Sequence, residues 1–301
     1  LPKLLQEVAH HGFDVTLLDN PIVKDSSTLT PADFVHFYQL IYQAYTKGVR
    51  QFVLITGTDT LSFLAAFLST AFANTNVSIV VTGSMLPLFN PTISPYTIDD
   101  TSDAWDNLQG ALRFVRQHIS GVYVSFYQQI FYGNSVQKIH SSDKNAFSGK
   151  VFDHANHKPH PHHPPTNITL CDVHCPIYTL YCVPNGADDL AETLLQLSHK
   201  QPSAVIILGF GAGNLPCSDI LKEALRTLVN KHFLVIMASS CLFGARSDTY
   251  AAGAWQYDLG VLPSKDMSLP HIYAQALWLC LTLPAHQRQQ TWHHFIHSFN
   301  S

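Results

Sequence analysis

Charged residues are scarce in this chain. Only 13% of its 301 residues are Asp, Glu, Lys or Arg, against a usual share of about 25%. A surface so poor in charge fits burial against further subunits, and it predicts an oligomer. The formal net charge of −4 provides no clustered basic face, which argues against nucleic-acid binding. No uninterrupted apolar run of about 18 residues occurs, so no membrane-spanning helix is expected. The chain opens Leu1-Pro2, without Met and without a signal-peptide pattern. Its six cysteines, Cys171, Cys175, Cys182, Cys217, Cys241 and Cys280, are too dispersed over a large core for a disulfide framework. Several lie in apolar runs and read as small buried hydrophobes. Cys171 and Cys175 flank His174 as a conceivable metal pair, but no second matching pair follows, as zinc spacings would require.

What is present is a regular alternation of apolar runs with helical periods. The length suggests about two domains, at roughly 100–200 residues each. Residues 2–11 read as a helix ended by Gly12, and 13–18 (FDVTLL) as a strand. A helix that opens an α/β domain usually follows a strand, so a first strand and its loop are expected upstream of Leu1. Thr30 caps a helix over 31–47, with Pro31 at its first position and Asp33 in its first turn. QFVLIT and VSIVVTG read as buried strands, and LSFLAAFLSTAFA as the helix between them. TSDAWDNLQGALRFVRQH is a longer helix capped around Thr101 or Ser102. GVYVSFYQQ is a strand, and IFYGNSVQKIHSSDKNAF begins as a turn region. Continuous apolar runs, rather than strict alternation, predict strands covered on both faces.

Three segments follow: an N-terminal α/β domain over 1–150, a His/Pro-rich linker over 151–173, and a C-terminal α/β domain over 174–301. The stretch GKVFDHANHKPHPHHPP, 149–165, has no apolar period. Its His154, His157, His160, His162 and His163 could bind a transition metal, but the prolines oppose a compact ligand cage and favour a solvated loop. In the second half PIYTLYCVP, AVIILGFG and FLVIMASS read as strands. ADDLAETLLQLSHK, SDILKEALRTLVNK (capped by Ser218) and PHIYAQALWLCLTL read as helices. The fold class expected is a large three-layer α/β/α domain with a mostly parallel sheet, plus a smaller flavodoxin-like α/β domain.

The most informative stretch is FVLITGTDTLSFLAAFLS, 52–69. An apolar strand ends in Gly57, Thr58, Asp59 and Thr60, and a helix follows at once. Parallel sheets bind ligands at this carboxyl end, beside the positive end of the helix. Asp59 is equally readable as a plain helix cap. Asp25, Ser26 and Ser27 precede another helix, where exposed hydroxyls and amides suit a carboxylate ligand, or merely form a turn. Gly83 and Ser84 close the next strand. Lys138 alone would be a solvated side chain. Placed near Thr58, its amine could take a hydroxyl proton.

Together these motifs resemble the bacterial L-asparaginase family, and more closely its type I, cytoplasmic branch, over nearly the whole chain. DSSTLTPADF is similar to that family's DSSDMTPEDW segment. ITGTDTL is similar to its HGTDTM signature, with Thr56 where His is common. VVTGSMLPL followed by SDAWDNLQGAL resembles its TGS-x-x-PL and SD-x-x-x-NL run. Lys138 falls before a D-x-F-D-A-F-type end, and GFGAGNLP, SSC and YAAG match the second domain.

The resemblance implies hydrolysis of asparagine to aspartate and ammonia through a Thr acyl-enzyme, with L-glutamine a further candidate substrate and no metal or cofactor. Thr58, Lys138 and Asp59 would form the proton-transferring group. Asp59 would pair with the substrate ammonium, Ser26 with Asp25 and Ser27 would hold its carboxylate, and Ser84 would offer mainly backbone beside the amide. The family's nucleophile motif, a strand ending in TGGTI, has no counterpart here and is expected upstream of Leu1. Pro270 stands where type I members often have Glu, and an apolar stretch around Leu208 where they carry an effector-site Arg. The resemblance also implies a homodimer or dimer of dimers, cytoplasmic or, with the native N-terminus unseen, periplasmic. Two alternatives remain: an amidotransferase-type amidase subunit, and a non-catalytic amino-acid-binding homologue.

Overall fold

A computed structural model of the chain describes residues 2–90, 92, 97–157, 162–168, 174–242 and 254–298. It divides into two compact units, Leu1–Asn167 and Ile168–Ser301.

The first unit runs α1 (Pro2–His10), a single 3₁₀ turn (Ser26–Thr28), α2 (Pro31–Thr46), β1 (Gln51–Ile55), α3 (Leu61–Ala71), β2 (Ser78–Thr82), α4 (Ala104–Val115), β3 (Gly121–Phe126), β4 (Gln129–Tyr132), β5 (Gln137–Lys138) and β6 (Phe147–Ser148). The main sheet has the order β1-β2-β3-β4. β1, β2 and β3 are parallel, in the register Gln51↔Ser78↔Gly121, and β4 returns antiparallel on β3. All five residues of β2 are buried, as expected for a strand with both faces covered. On one face Val80 and Tyr123 meet Ala111, Phe114 and Val115 of α4. Ile79 and Val81 alternate to the other face and are equally sealed from solvent. Helix α2 starts as its sequence predicts: the buried Asp33 carboxylate accepts the Thr30 N–H at 2.8 Å, the Thr30 hydroxyl at 2.7 Å and the Lys24 ammonium at 2.8 Å.

The second unit runs β7 (Ile177–Tyr181), α5 (Ala187–His199), β8 (Ala204–Gly209), α6 (Asp219–Asn230), β9 (Leu234–Ser239), α7 (Ala254–Tyr257), β10 (Leu262–Pro263), α8 (Leu269–Thr282) and α9 (Ala285–Ser298). Its sheet, ordered β10-β9-β8-β7, is wholly parallel. Ser218 caps α6, its Oγ accepting the Leu221 N–H at 3.2 Å. Val205, Ile207, Val235 and Met237 pack against Leu194 of α5 and Leu221, Leu225 and Leu228 of α6. Both units are therefore α/β with parallel sheets, the class the alternating pattern predicts.

Three local expectations are corrected. Residues 13–18 form no strand: their backbone joins no ladder among the described residues, and Val15, Leu17 and Leu18 are exposed. A strand exists only with a partner for its N–H and C=O groups, which an apolar pattern alone does not supply. Second, the segment expected to begin as a turn at Ile130 is strand β4. The turn comes earlier, at Tyr127 and Gln128, whose φ values of 47° and 60° are both positive. That is the geometry of a tight hairpin turn, but without the Asn-Gly signal that would announce it. Third, the N-cap of α4 is Asp103, and Ser102 instead accepts the Ala104 N–H with its Oγ.

Part of the expected linker packs on the first unit. Phe152 meets the rings of Phe114, Tyr123 and Tyr132 edge-on or tilted, and His154 and His157 lie against Phe152. His160 and Cys171 lie outside the described residues. Among the described residues no cluster of His, Cys, Asp or Glu is disposed to hold a metal ion, and no helix is long and apolar enough to cross a membrane.

Candidate active site

The ladder between β1 and β2 extends one bond past β1, with the Thr56 N–H donating to Thr82 O at 2.9 Å. The chain then leaves the sheet through Gly57, Thr58 and Asp59 and enters α3, whose N-cap is Thr60. The cap reading of Asp59 thus falls away. Its carboxylate is turned elsewhere, toward Lys138.

Lys138 arrives from the short β5–β6 pair, opposite Phe147. Val136, Ala146 and Phe147 around it are buried, and the Phe147 ring meets Phe126 of β3 edge-on at 4.6 Å. These contacts anchor a two-residue strand that could not hold itself. From it Lys138 Nζ donates to Thr58 Oγ1 at 2.9 Å and to Asp59 Oδ1 at 2.8 Å. The Lys138 side chain is 21% exposed and that of Asp59 58%. An ion pair open to water contributes only about 0–1 kcal/mol, so stability does not account for this arrangement. It does bring an amine, a hydroxyl and a carboxylate to one strand end.

Ser26 joins the same turn. It is 4% exposed. Its Oγ accepts the Asp59 N–H at 3.2 Å and its carbonyl accepts the Thr60 hydroxyl at 2.8 Å. The approach requires Gly57, because a Cβ there would lie 2.5 Å from Ser26 Oγ. Asp25 and Ser27 are exposed and engaged with each other: the carboxylate accepts the Ser27 hydroxyl at 2.7 Å and its N–H at 2.9 Å. Those bonds hold the Asp25 carboxyl below its usual range. Ser84 closes on its own turn, its Oγ donating to Leu86 O at 2.7 Å. Among the described residues no hydrogen bond joins Ser84 to Thr58, Asp59 or Lys138. The structure therefore groups Thr58, Asp59, Lys138 and Ser26 tightly, with Asp25 and Ser27 beside Ser26 in the chain and Ser84 on the neighbouring strand end.

The sequence marks Gly57 and Gly83 as turn residues at two strand ends but does not show why each must be glycine. A Cβ on Gly83 would fall 2.2 Å from the Thr56 carbonyl oxygen, so the ends of β1 and β2 touch backbone to backbone. Asp103 and Asn107 escape a sequence reading aimed at functional groups. Their SD-x-x-x-NL run reads as a helix start, yet the Asp103 carboxylate caps nothing and accepts the Met85 and Leu86 N–H groups at 3.0 and 3.1 Å. A separate cavity of about 630 Å³ lies at the opposite end of the sheet, lined by residues such as Phe72, Thr75, His118, Gly121 and Tyr132. Thr58, Asp59 and Lys138 meet instead at the carboxyl ends, where parallel sheets place their sites.

Comparison with known proteins identifies the family. Residues 3–158 match the family described as "Asparaginase, N-terminal" and residues 177–292 the "Glutaminase/Asparaginase C-terminal domain". The L-asparaginase of Thermococcus kodakarensis is 28% identical over 274 residues, covering 84% of this chain and 76% of its own. The solved structure of that thermostable enzyme superposes with a TM-score of 0.76 at 25% identity, over 97% of this chain and 88% of the other. L-asparaginase 1 of Escherichia coli K12 is 27% identical over 269 residues, 85% of this chain and 75% of that one. A Glutamyl-tRNA(Gln) amidotransferase component from Thermoplasma volcanium is 23% identical over 291 residues, 91% of this chain and 66% of that one. With both domains matched in order, the chain belongs to the asparaginase/glutaminase family.

Proposed function

We propose that this protein is an L-asparagine amidohydrolase, converting asparagine and water to aspartate and ammonia. The observation that carries the reading is Lys138 Nζ, held within 2.9 Å of both Thr58 Oγ1 and Asp59 Oδ1. A hydroxyl is a weak nucleophile and a weak acid–base group until a neighbour can take or return its proton. Lys138 is placed to do that for Thr58. Asp59 has one oxygen on Lys138, and no protein donor among the described residues occupies the other, which suits it to the α-ammonium of an amino acid. The Ser26 turn supplies the α-carboxylate end, so a zwitterion is held at two separate points.

In the proposed sequence of events a threonine hydroxyl on a segment preceding Leu1 attacks the side-chain amide carbon. The C–N bond breaks, and ammonia departs with the proton delivered through the Thr58–Lys138 pair. Water then attacks the resulting ester and gives its proton back through the same pair, releasing aspartate and the free hydroxyl. The Thr58 and Ser84 N–H groups would stabilise the oxyanion, since those of Asp59, Met85 and Leu86 are taken by Ser26 and Asp103. Glutamine, one methylene longer, would differ by about 1–3 kcal/mol in such a pocket. The low charge content supports a homodimer or dimer of dimers, measurable by light scattering.

The test is ammonia release from L-asparagine by protein expressed with its upstream sequence. A folded protein that releases none above buffer overturns the proposal. The relationship to the amidotransferase component favours a second reading, in which ammonia passes to a partner. Co-purification of a stable heteromeric partner would select it.

A further inference from the structure

We infer that Asp103, with Asn107 one helical turn further on, is a positioning residue for the Thr58 end of this site, an inference that rests on the hydrolase reading above. Asp103 is buried at the N-cap of α4, yet its side chain makes no cap bond. Its Oδ1 accepts the Leu86 N–H at 3.1 Å, and the Met85 N–H lies 3.1 and 3.0 Å from its two oxygens. Its Oδ2 also accepts Asn107 Nδ2 at 3.0 Å. Asn107 is saturated in turn: Nδ2 donates to Gly83 O at 3.0 Å, and Oδ1 accepts the Tyr127 N–H at 2.8 Å. Two side chains one turn apart at the start of one helix therefore tie together the carboxyl ends of β2 and β3.

The tie reaches the reactive group by contact. Gly83, fixed through its carbonyl, lies so close to Thr56 that a Cβ would sit 2.2 Å from the Thr56 oxygen. Thr56 is two residues before Thr58. Hydrogen bonds to an ionised acceptor are about twice as strong as neutral ones, so the carboxylate makes a stiffer brace than an amide. An error of about 1 Å in the placement of a reacting group costs on the order of 100-fold in rate, which is why a brace with no bond to Thr58 would still govern turnover. An ordinary helix cap would have turned the carboxylate to the N–H groups of α4 itself.

The experiment compares wild type, Asp103→Asn and Asp103→Ala, each with the upstream sequence. Rates are normalised to the fraction of protein that binds L-aspartate by calorimetry, so that loss of folded sites does not count as loss of rate. We expect Asp103→Ala to lower kcat roughly 10–100-fold while KM moves less than about threefold. Asp103→Asn, which keeps one accepting oxygen, should recover part of the loss. Amide hydrogen exchange at Met85 and Leu86 should quicken in both. Unchanged exchange there, or quicker exchange with unchanged normalised kcat, overturns the positioning role. If Asp103→Ala does not fold, Asp103→Asn carries the same two readouts. A wild type that binds L-aspartate but releases no ammonia overturns the hydrolase reading instead, and the exchange arm still decides whether Asp103 braces the turn.

Discussion

Lys138 Nζ lies 2.9 Å from Thr58 Oγ1 across 80 residues of sequence. Neither residue could set that distance alone. It depends on the β5–β6 pair being clamped by Phe147 against Phe126, and on the turn after β1 being clamped by Ser26. Replacing Lys138 with Met keeps most of the side-chain volume and removes the amine. Turnover of L-asparagine is expected to fall by roughly 100- to 10,000-fold, the range of general acid–base catalysis, with L-aspartate binding largely kept. Stopped assays with calorimetry on the same preparation measure both. Activity within a few-fold of wild type would remove Lys138 from the chemistry.

Gly57 offers a test of the backbone approach. A Cβ at this position meets Ser26 Oγ at 2.5 Å and Ser26 Cβ at 2.9 Å, and Ser26 is itself buried. Forcing extra atoms into a packed place costs about 1–3 kcal/mol. Gly57→Ala should therefore lose that much stability, read as a lower urea midpoint. Because the same shift displaces Ser26 and Asp59, KM for asparagine should rise. A variant as stable as wild type would mean that the turn has room that this geometry denies.

His271 sets a pH dependence in the second unit. It sits in the first turn of α8, and burial lowers its pKa from 6.5 to about 4. The unfolded chain takes up the proton below about 6.5, whereas the folded chain does not until about 4. The folded state is therefore at no disadvantage above the upper value, and it loses stability as pH falls through the window. The loss is roughly 3 kcal/mol at most by proton linkage. His271→Gln has no ring to titrate, so its urea midpoint should fall less than that of wild type between pH 7 and pH 4.5. Parallel losses in the two proteins would assign the effect to other groups.

Trp292 is fully buried, and its indole N–H donates to the Pro263 carbonyl at 2.9 Å. Trp292→Phe removes the donor and leaves that carbonyl without this partner, which costs about 1–3 kcal/mol. Trp292→Ala also removes the ring and should cost about 3–5 kcal/mol. Chemical denaturation of both variants, followed by circular dichroism, gives the two values. A Phe variant as stable as wild type would mean that packing alone matters and that the hydrogen bond contributes nothing.

Much of the fold is legible locally. The strand of Ser78–Thr82 reads from its unbroken apolar run, and the Thr30 and Ser218 helix starts from a hydroxyl before a helical period. The strand-end group is legible too, but only through several motifs in order, because Thr58, Asp59 and Lys138 taken singly suit a cap or a solvated surface. The strand expected at 13–18 fails for the opposite reason: its pattern is right and its partner is not among the described residues. The Tyr127–Gln128 turn is hidden because two ordinary residues adopt positive φ, held by the antiparallel pairing of β3 with β4 and by the Tyr127 N–H bond to Asn107 Oδ1 rather than by glycine.

The sequence by itself therefore determined what each residue prefers: the α/β alternation, the faces that seek burial, and the chemical groups at the strand ends. These follow from periodicity and side-chain chemistry, which every short window carries. Only the tertiary structure decided whom the polar groups that look beyond their own turn answer. It turned Asp59 from its own helix to Lys138, turned Asp103 from α4 to Met85 and Leu86, and made Gly57 and Gly83 obligatory. A hydrogen bond is satisfied by whichever donor the packed backbone brings within about 3 Å, and that neighbour is chosen by the assembly of distant strands, not by the residues on either side.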